Sequence, residues 1–164
     1  MSSDPSEEDQ WELQLFQRSA PAKLRAGEHH TFMTHVQAGW NTLCHSRVLL
    51  VFSGGVTSRH RISEARSYSN ACASMHAFGQ LRETSSMHDG FASIALDELA
   101  TDSYQNLLFS IIRFRQLIGS YPRSITIVTH AFKERRFLDL HAKAIRWPAD
   151  RIRVQGINPP FTGG

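Results

Sequence analysis

Cysteine is scarce in this chain: only Cys44 and Cys72 occur in 164 residues. Two isolated thiols do not make the disulfide framework of a small secreted domain. Both fall in helical patterns, so buried free thiols are expected. The amino-terminal stretch is not expected to act as a leader. The start, Met1-Ser-Ser-Asp-Pro-Ser-Glu-Glu-Asp9, is acidic and polar. It has neither the basic n-region nor the apolar h-region of a signal peptide. No apolar run approaches the about 20 residues of a membrane span. The expectation is a cytoplasmic protein with no membrane contact.

Several chemical signatures are missing too. The nine histidines form no His-Glu-x-x-His, and no Cys/His spacing suits zinc. There is no Gly-x-Ser-x-Gly elbow to anchor a hydrolase triad. No G-x-G-x-x-G and no Walker loop are present. The chain is mildly basic, with 18 Lys and Arg against 15 Asp and Glu, a formal charge of +3 and a pI near 9.2. These charges are scattered, and no Lys/Arg run carries interleaved aromatics, which argues against nucleic acid as a partner.

The residues that remain describe one globular domain. Hydrophobic residues make up 41% of the chain, enough to bury a core. Residues 1–8 read as a disordered tail, 9–160 as a single domain and 161–164 as a second tail. A short helix is expected from Asp9 to Arg18, ended by Ala20-Pro21-Ala22. From Thr31 to His45, Phe32, Val36, Trp40 and Leu43 recur at helical spacing. A strand Val48–Phe52 follows, then a helix Ser63–Phe78 with Ser63 as N-cap and Gly79 as stop. Further along lie a strand Phe91–Leu96, a helix Asp102–Ile118 stopped by Gly119, and a strand Ser124–Thr129. A helix Ala131–Arg146 ends before Pro148, and a last strand spans Arg151–Ile157. Leu107, Leu108, Ile111, Ile112 and Ile118 are expected to share one buried helix face. Strands alternating with helices predict an α/β fold: a Rossmann-like three-layer α/β/α arrangement with a mostly parallel sheet.

In such sheets ligands bind beyond the carboxyl ends of the strands. The first of these loops, Ser53-Gly54-Gly55 onward, ends an apolar run abruptly. Its glycines would let backbone amides approach an anion, with the next helix start adding partial positive charge. A tight turn without a ligand is the other reading. Ser63 and Glu64 open the next helix, and capping with the macrodipole explains both as well as a ligand role does. In the second loop Asp102 and Gln105 form a capping-box pair. Asn106 is a poor helix former placed one turn into an apolar helix, which suggests a bond to a neighbouring loop or a ligand. Ser103 lies on a similar face.

The third loop discriminates most. Thr129-His130-Ala131-Phe132-Lys133-Glu134-Arg135-Arg136 puts cations in the first turns of a helix. The macrodipole disfavours each there by about 0.3–1 kcal/mol. An anionic ligand facing Lys133 and Arg136 would account for them. His130 is a candidate acid or base by its titration range, or simply an exposed or capping histidine. The pair His29-His30 is expected at the surface.

Four stretches carry a family resemblance: Leu-Leu-Val-Phe-Ser-Gly-Gly-Val-Thr, Ser-Glu-Ala-Arg-Ser-Tyr, Asp-Ser-Tyr-Gln-Asn-Leu-Leu-Phe-Ser and Phe-Lys-Glu-Arg-Arg-Phe. In order, across residues 9–160, the chain resembles the domain of unknown function 218 family, the YdcF/SanA/ElyC-like proteins, and within it the fungal branch. The resemblance implies a Rossmann-like fold and suggests a nucleotide-like ligand, without a settled activity. It implies site positions at Ser53, Gly54, Gly55, Ser63, Glu64, Ser103, Asn106, Lys133 and Arg136.

Three departures accompany it. Gln105 stands where the family usually has a Glu. The family's first strand, with its Gly-His-Ala or Gly-Gly loop, has no counterpart, and the fungal members continue past Phe161-Thr-Gly-Gly164. A truncated product would be expected to leave a gap in the sheet and to aggregate. The leading expectation is a protein that binds a small anionic ligand, with transferase or hydrolase chemistry. A non-catalytic binding or regulatory module, or an inactive fragment, are the alternatives.

Overall fold

The computed structural model describes residues 27–43, 47–56, 62–81 and 94–159, together with Ser6. The expected helix at Asp9–Arg18, Cys44 and, apart from Ser6, the terminal tails lie outside the described residues. The order of elements is α1 (His29–Thr42), β1 (Leu50–Ser53), α2 (Glu64–Ala77), β2 (Ile94–Asp97), α3 (Ser103–Ile118) and β3 (Ile125–His130). After β3 come a 3₁₀ turn (Ala131–Lys133), a π turn (Arg136–His141), the short helix α4 (Ala142–Ala144) and β4 (Ile152–Ile157). The protein is therefore an α/β fold.

The helix ends follow local chemistry. Ser63 Oγ accepts from the Arg66 amide at 3.0 Å and caps α2. Asp102 Oδ1 accepts from the Gln105 amide at 2.8 Å and caps α3. Gln105 Oε1 reaches back to the amide and hydroxyl of Thr101, each at 2.9 Å, one residue earlier than a capping box requires. Gly119, at φ +82°, closes α3 in the left-handed conformation that glycine adopts without a Cβ penalty.

Both strand pairs are parallel. β1 pairs with β2 in the register Leu50↔Ile94 to Ser53↔Asp97. β3 pairs with β4 in the register Ile125↔Ile152 to His130↔Ile157. Among the described residues the strands thus form two two-stranded sheets rather than the one expected. Among the described residues, β1 and β3 each have a ladder on one side only. Helix α1 packs on β1, β3 and β4 and so links the two halves.

Each half has its own core. Val36, Trp40, Leu43, Phe52, Ala65, Cys72, Met75 and Leu81 pack between α1, α2 and β1. Leu107, Ile111, Phe137, Ala142 and Ile152 form the second cluster, beneath β3 and β4. The α3 face is narrower than its sequence pattern suggests. Leu107 and Ile111 are buried, whereas Ile112 and Ile118 are exposed. His29 also departs from expectation: it is buried, while His30 is exposed. Cys72 is a buried free thiol on α2, and burial pushes it up to about 11.

Candidate functional site

The β1/β2 register sets Ser53 beside Asp97 at the carboxyl ends of both strands. Ser53 Oγ donates to Asp97 Oδ2 at 2.6 Å. Asp97 is 5% exposed, and its other oxygen accepts from the Leu99 amide at 3.1 Å. Asn106 Oδ1 lies 3.3 Å from the same Ser53 hydroxyl. An asparagine one turn into α3 is thus held across the loop to β1, which offsets its poor helix propensity.

The glycine loop is organised differently from an anion cradle. The Gly54 amide donates to Asp97 O at 2.9 Å and the Gly55 amide to Ala100 O at 2.6 Å. The Glu64 and Ala65 amides, which open α2, donate to the Gly55 and Gly54 carbonyls, each at 3.0 Å. These four donors are engaged within the protein, so the loop holds the strand tips together. Gly55 is required by contact: a Cβ there would stand 2.9 Å from Ala100 O. Gly54 is required by conformation, at φ +152°.

Ser63 is likewise occupied. Besides capping α2 it donates to Glu98 Oε1 at 2.6 Å, and Glu98 pairs with Arg66 at 2.8 Å. Its surroundings are those of a cap.

A cluster of titratable groups gathers where α1, α2 and β3 meet. His35 on α1 and His130 at the end of β3 have ring centroids 4.9 Å apart and nearly perpendicular. Burial, then His130 and Lys133, lower the His35 imidazole to about 4. His35 Nε2 is buried without a hydrogen-bond partner. Burial and Lys133 also lower His130, against an opposing pull from Glu28. Glu64 keeps a solvent-accessible surface yet lies deep among protein atoms. Desolvation there raises its carboxyl, and Lys133 partly offsets this. Tyr68, one turn along α2, stacks on Phe52 with centroids 6.0 Å apart. Burial, Glu64 and Glu28 push its phenol well above the usual range.

A third group lies across α3 and the π turn. Ser103 Oγ and His141 Nε2 are 2.9 Å apart. The His141 ring meets Tyr104 and Phe137 edge-on, with centroids 5.8 Å and 5.4 Å away. Burial and Arg136 lower its imidazole, with Asp102 opposing.

Lys133 and Arg136 therefore serve different neighbours. A regular helix would set them one turn apart on one face. The segment begins with a 3₁₀ turn that ends at Lys133 and passes into a π turn that starts at Arg136. Lys133 acts on His35, His130 and Glu64, while Arg136 acts on His141. Adjacent cations are paired: Arg135 with Asp139 at 3.4 Å, and Lys143 with Asp139 at 3.7 Å.

His35, Tyr68 and His141 escape a motif-based reading. His35 had one signal, its place directly before Val36 on the apolar face of α1. His141 had none, because its contact with Ser103 joins elements 38 residues apart in the chain.

No helix among the described residues is long and apolar enough to cross a membrane. No family model matches the chain, and no solved structure does. The chain is 45% identical over 67 residues to Uncharacterized protein YOR238W of Saccharomyces cerevisiae. That match covers 41% of this chain and 22% of the yeast protein, so the similarity is to a limited part of a longer fungal relative.

Proposed function

We propose that this chain binds a small anionic, nucleotide-like ligand beyond the carboxyl ends of its strands, and that it is a member of the domain of unknown function 218 family. One observation carries the reading. Lys133 and Arg136 both stand in the segment that directly follows the carboxyl end of β3, and among the described residues neither has an ion pair, a condition they share with several other arginines. Two cations just past a strand tip, one of them only partly offset by Glu64, suit an anion. Lys133 and Arg136 neutralise it from two sides. Ser103 and Asn106 orient it, and Gly54 and Gly55 shape the loop beneath it.

The Gln105 departure bears on catalysis. Its Oε1 is an acceptor for Thr101, a part that a carboxylate would fill equally well. The position supports α3 capping, so its change from Glu leaves transferase or hydrolase chemistry open to other residues. Thermal-shift titration with inorganic phosphate and with nucleoside monophosphates tests the reading. The wild type is expected to gain stability with both, and Lys133→Ala/Arg136→Ala to lose the gain. Equal shifts in the wild type and the double variant overturn it.

A further inference from the structure

We propose that Ser103 and His141 form a nucleophile–base pair that transfers the acyl group of an anionic ester through Ser103. The inference deepens the anion-binding reading and rests on it for the class of substrate. The geometry is that of an activated hydroxyl: Ser103 Oγ and His141 Nε2 stand 2.9 Å apart, on elements 38 residues apart in the chain. The pair is reachable, since both residues are half-buried.

The ring is also positioned. Tyr104 and Phe137 meet it edge-on, at 5.8 Å and 5.4 Å between centroids. A π turn carries His141, and such turns recur at functional sites because they re-aim a side chain that a regular helix would send elsewhere. The charged groups facing His141 are Arg136 on the same turn and Asp102 at the start of α3. Burial and Arg136 favour the neutral ring that a general base requires near neutral pH. Arg136 has no ion pair among the described residues, so its charge is available to the substrate's anionic group.

The chemistry balances without a further reagent in the first half. Ser103 Oγ bonds to the ester carbonyl carbon while its proton passes to His141 Nε2. The carbon–oxygen bond to the leaving alcohol then breaks, and His141 returns the proton to that oxygen. Water, or an acceptor alcohol, takes the acyl group from Ser103 by the same steps in reverse, with His141 again receiving and returning one proton.

The test is labelling with an alkyl fluorophosphonate, in which Oγ bonds to phosphorus, fluoride leaves and His141 accepts the proton. Mass spectrometry of the intact chain and its peptides reads the adduct. One adduct on Ser103 is expected. His141→Gln should slow labelling by on the order of 10²-fold or more, with unchanged circular dichroism. The wild-type labelling rate should rise with pH and level off, with a midpoint below 6.5. Turnover of 4-nitrophenyl succinate should exceed that of 4-nitrophenyl acetate, and Arg136→Ala should abolish the preference. Absence of an adduct on Ser103, with the phosphate thermal shift intact, overturns the pair and leaves the anion reading standing. Equal labelling of folded His141→Gln overturns His141 as the base. An adduct on Ser103 without any phosphate shift or preference for the anionic ester keeps the pair and overturns the anion reading.

Discussion

Ser53 Oγ lies 2.6 Å from Asp97 Oδ2, and this contact joins the carboxyl ends of two neighbouring parallel strands. Asp97 is buried and also accepts from the Leu99 amide. Asp97→Ala removes the acceptor for a hydroxyl and a backbone amide at once. Leaving such donors unsatisfied is expected to destabilise by about 1–3 kcal/mol. Urea unfolding monitored by far-ultraviolet circular dichroism should show a lower midpoint with an unchanged slope.

Stability should fall on mild acidification. His35 is held neutral, near 4, against about 6.5 in an unfolded chain. Between those values the unfolded state binds the extra proton, so stability increases with pH. The contribution is complete above about 6.5, declines as pH falls from there, and is lost below about 4. For this shift it amounts to about 3 kcal/mol. His130 and His141, lowered in the same direction, add to the slope. Glu64, raised by desolvation, opposes it at the acid end. Urea midpoints measured across pH 4–8 should follow this trend, and His35→Leu should flatten it.

Glu64 and Lys133 act on each other. Removing the carboxylate leaves the lysine charge uncompensated. Glu64→Gln is expected to tighten phosphate binding about threefold, the scale of one solvent-screened charge pair. Isothermal titration calorimetry at low and moderate salt measures it, with the gain shrinking as salt rises.

Gly55 has no room for a side chain. Its Cβ would stand 2.9 Å from the Ala100 carbonyl and 3.2 Å from that of Glu98. Both atoms are backbone and cannot swing aside. Gly55→Ala is expected to destabilise by about 1–3 kcal/mol, read as a lower thermal midpoint. Gly39→Ala is milder, because its 2.9 Å neighbour is the flexible end of Leu50.

Much of the α/β order is visible in the residues themselves. Ser63 and Asp102 stand at helix starts with a side-chain oxygen three residues from the amide they cap. Gly79 and Gly119 mark the ends with positive φ, at 69° and 82°. These signals are local, so the chain states them directly. The stripe on α3 is local as well, but burial is not: Ile112 and Ile118 share its periodicity and remain exposed because packing partners cover only Leu107 and Ile111 among the buried positions.

The site divides along the same line. Asn106 carries its own warning as a poor helix former, and it is found against Ser53. The glycines of the first loop read equally as an anion cradle or as close packing. Only their hydrogen bonds to Asp97 and Ala100 distinguish the two. By itself the sequence determines which residue types stand at the strand tips and where helices start and stop, because capping, periodicity and backbone permissiveness act over a few residues. Tertiary structure decides the rest. Among the described residues it pairs the strands in two separate ladders, buries His29 and His35, and sets His141 against Ser103. Those outcomes depend on contacts between segments far apart in the chain, which local sequence signals do not encode.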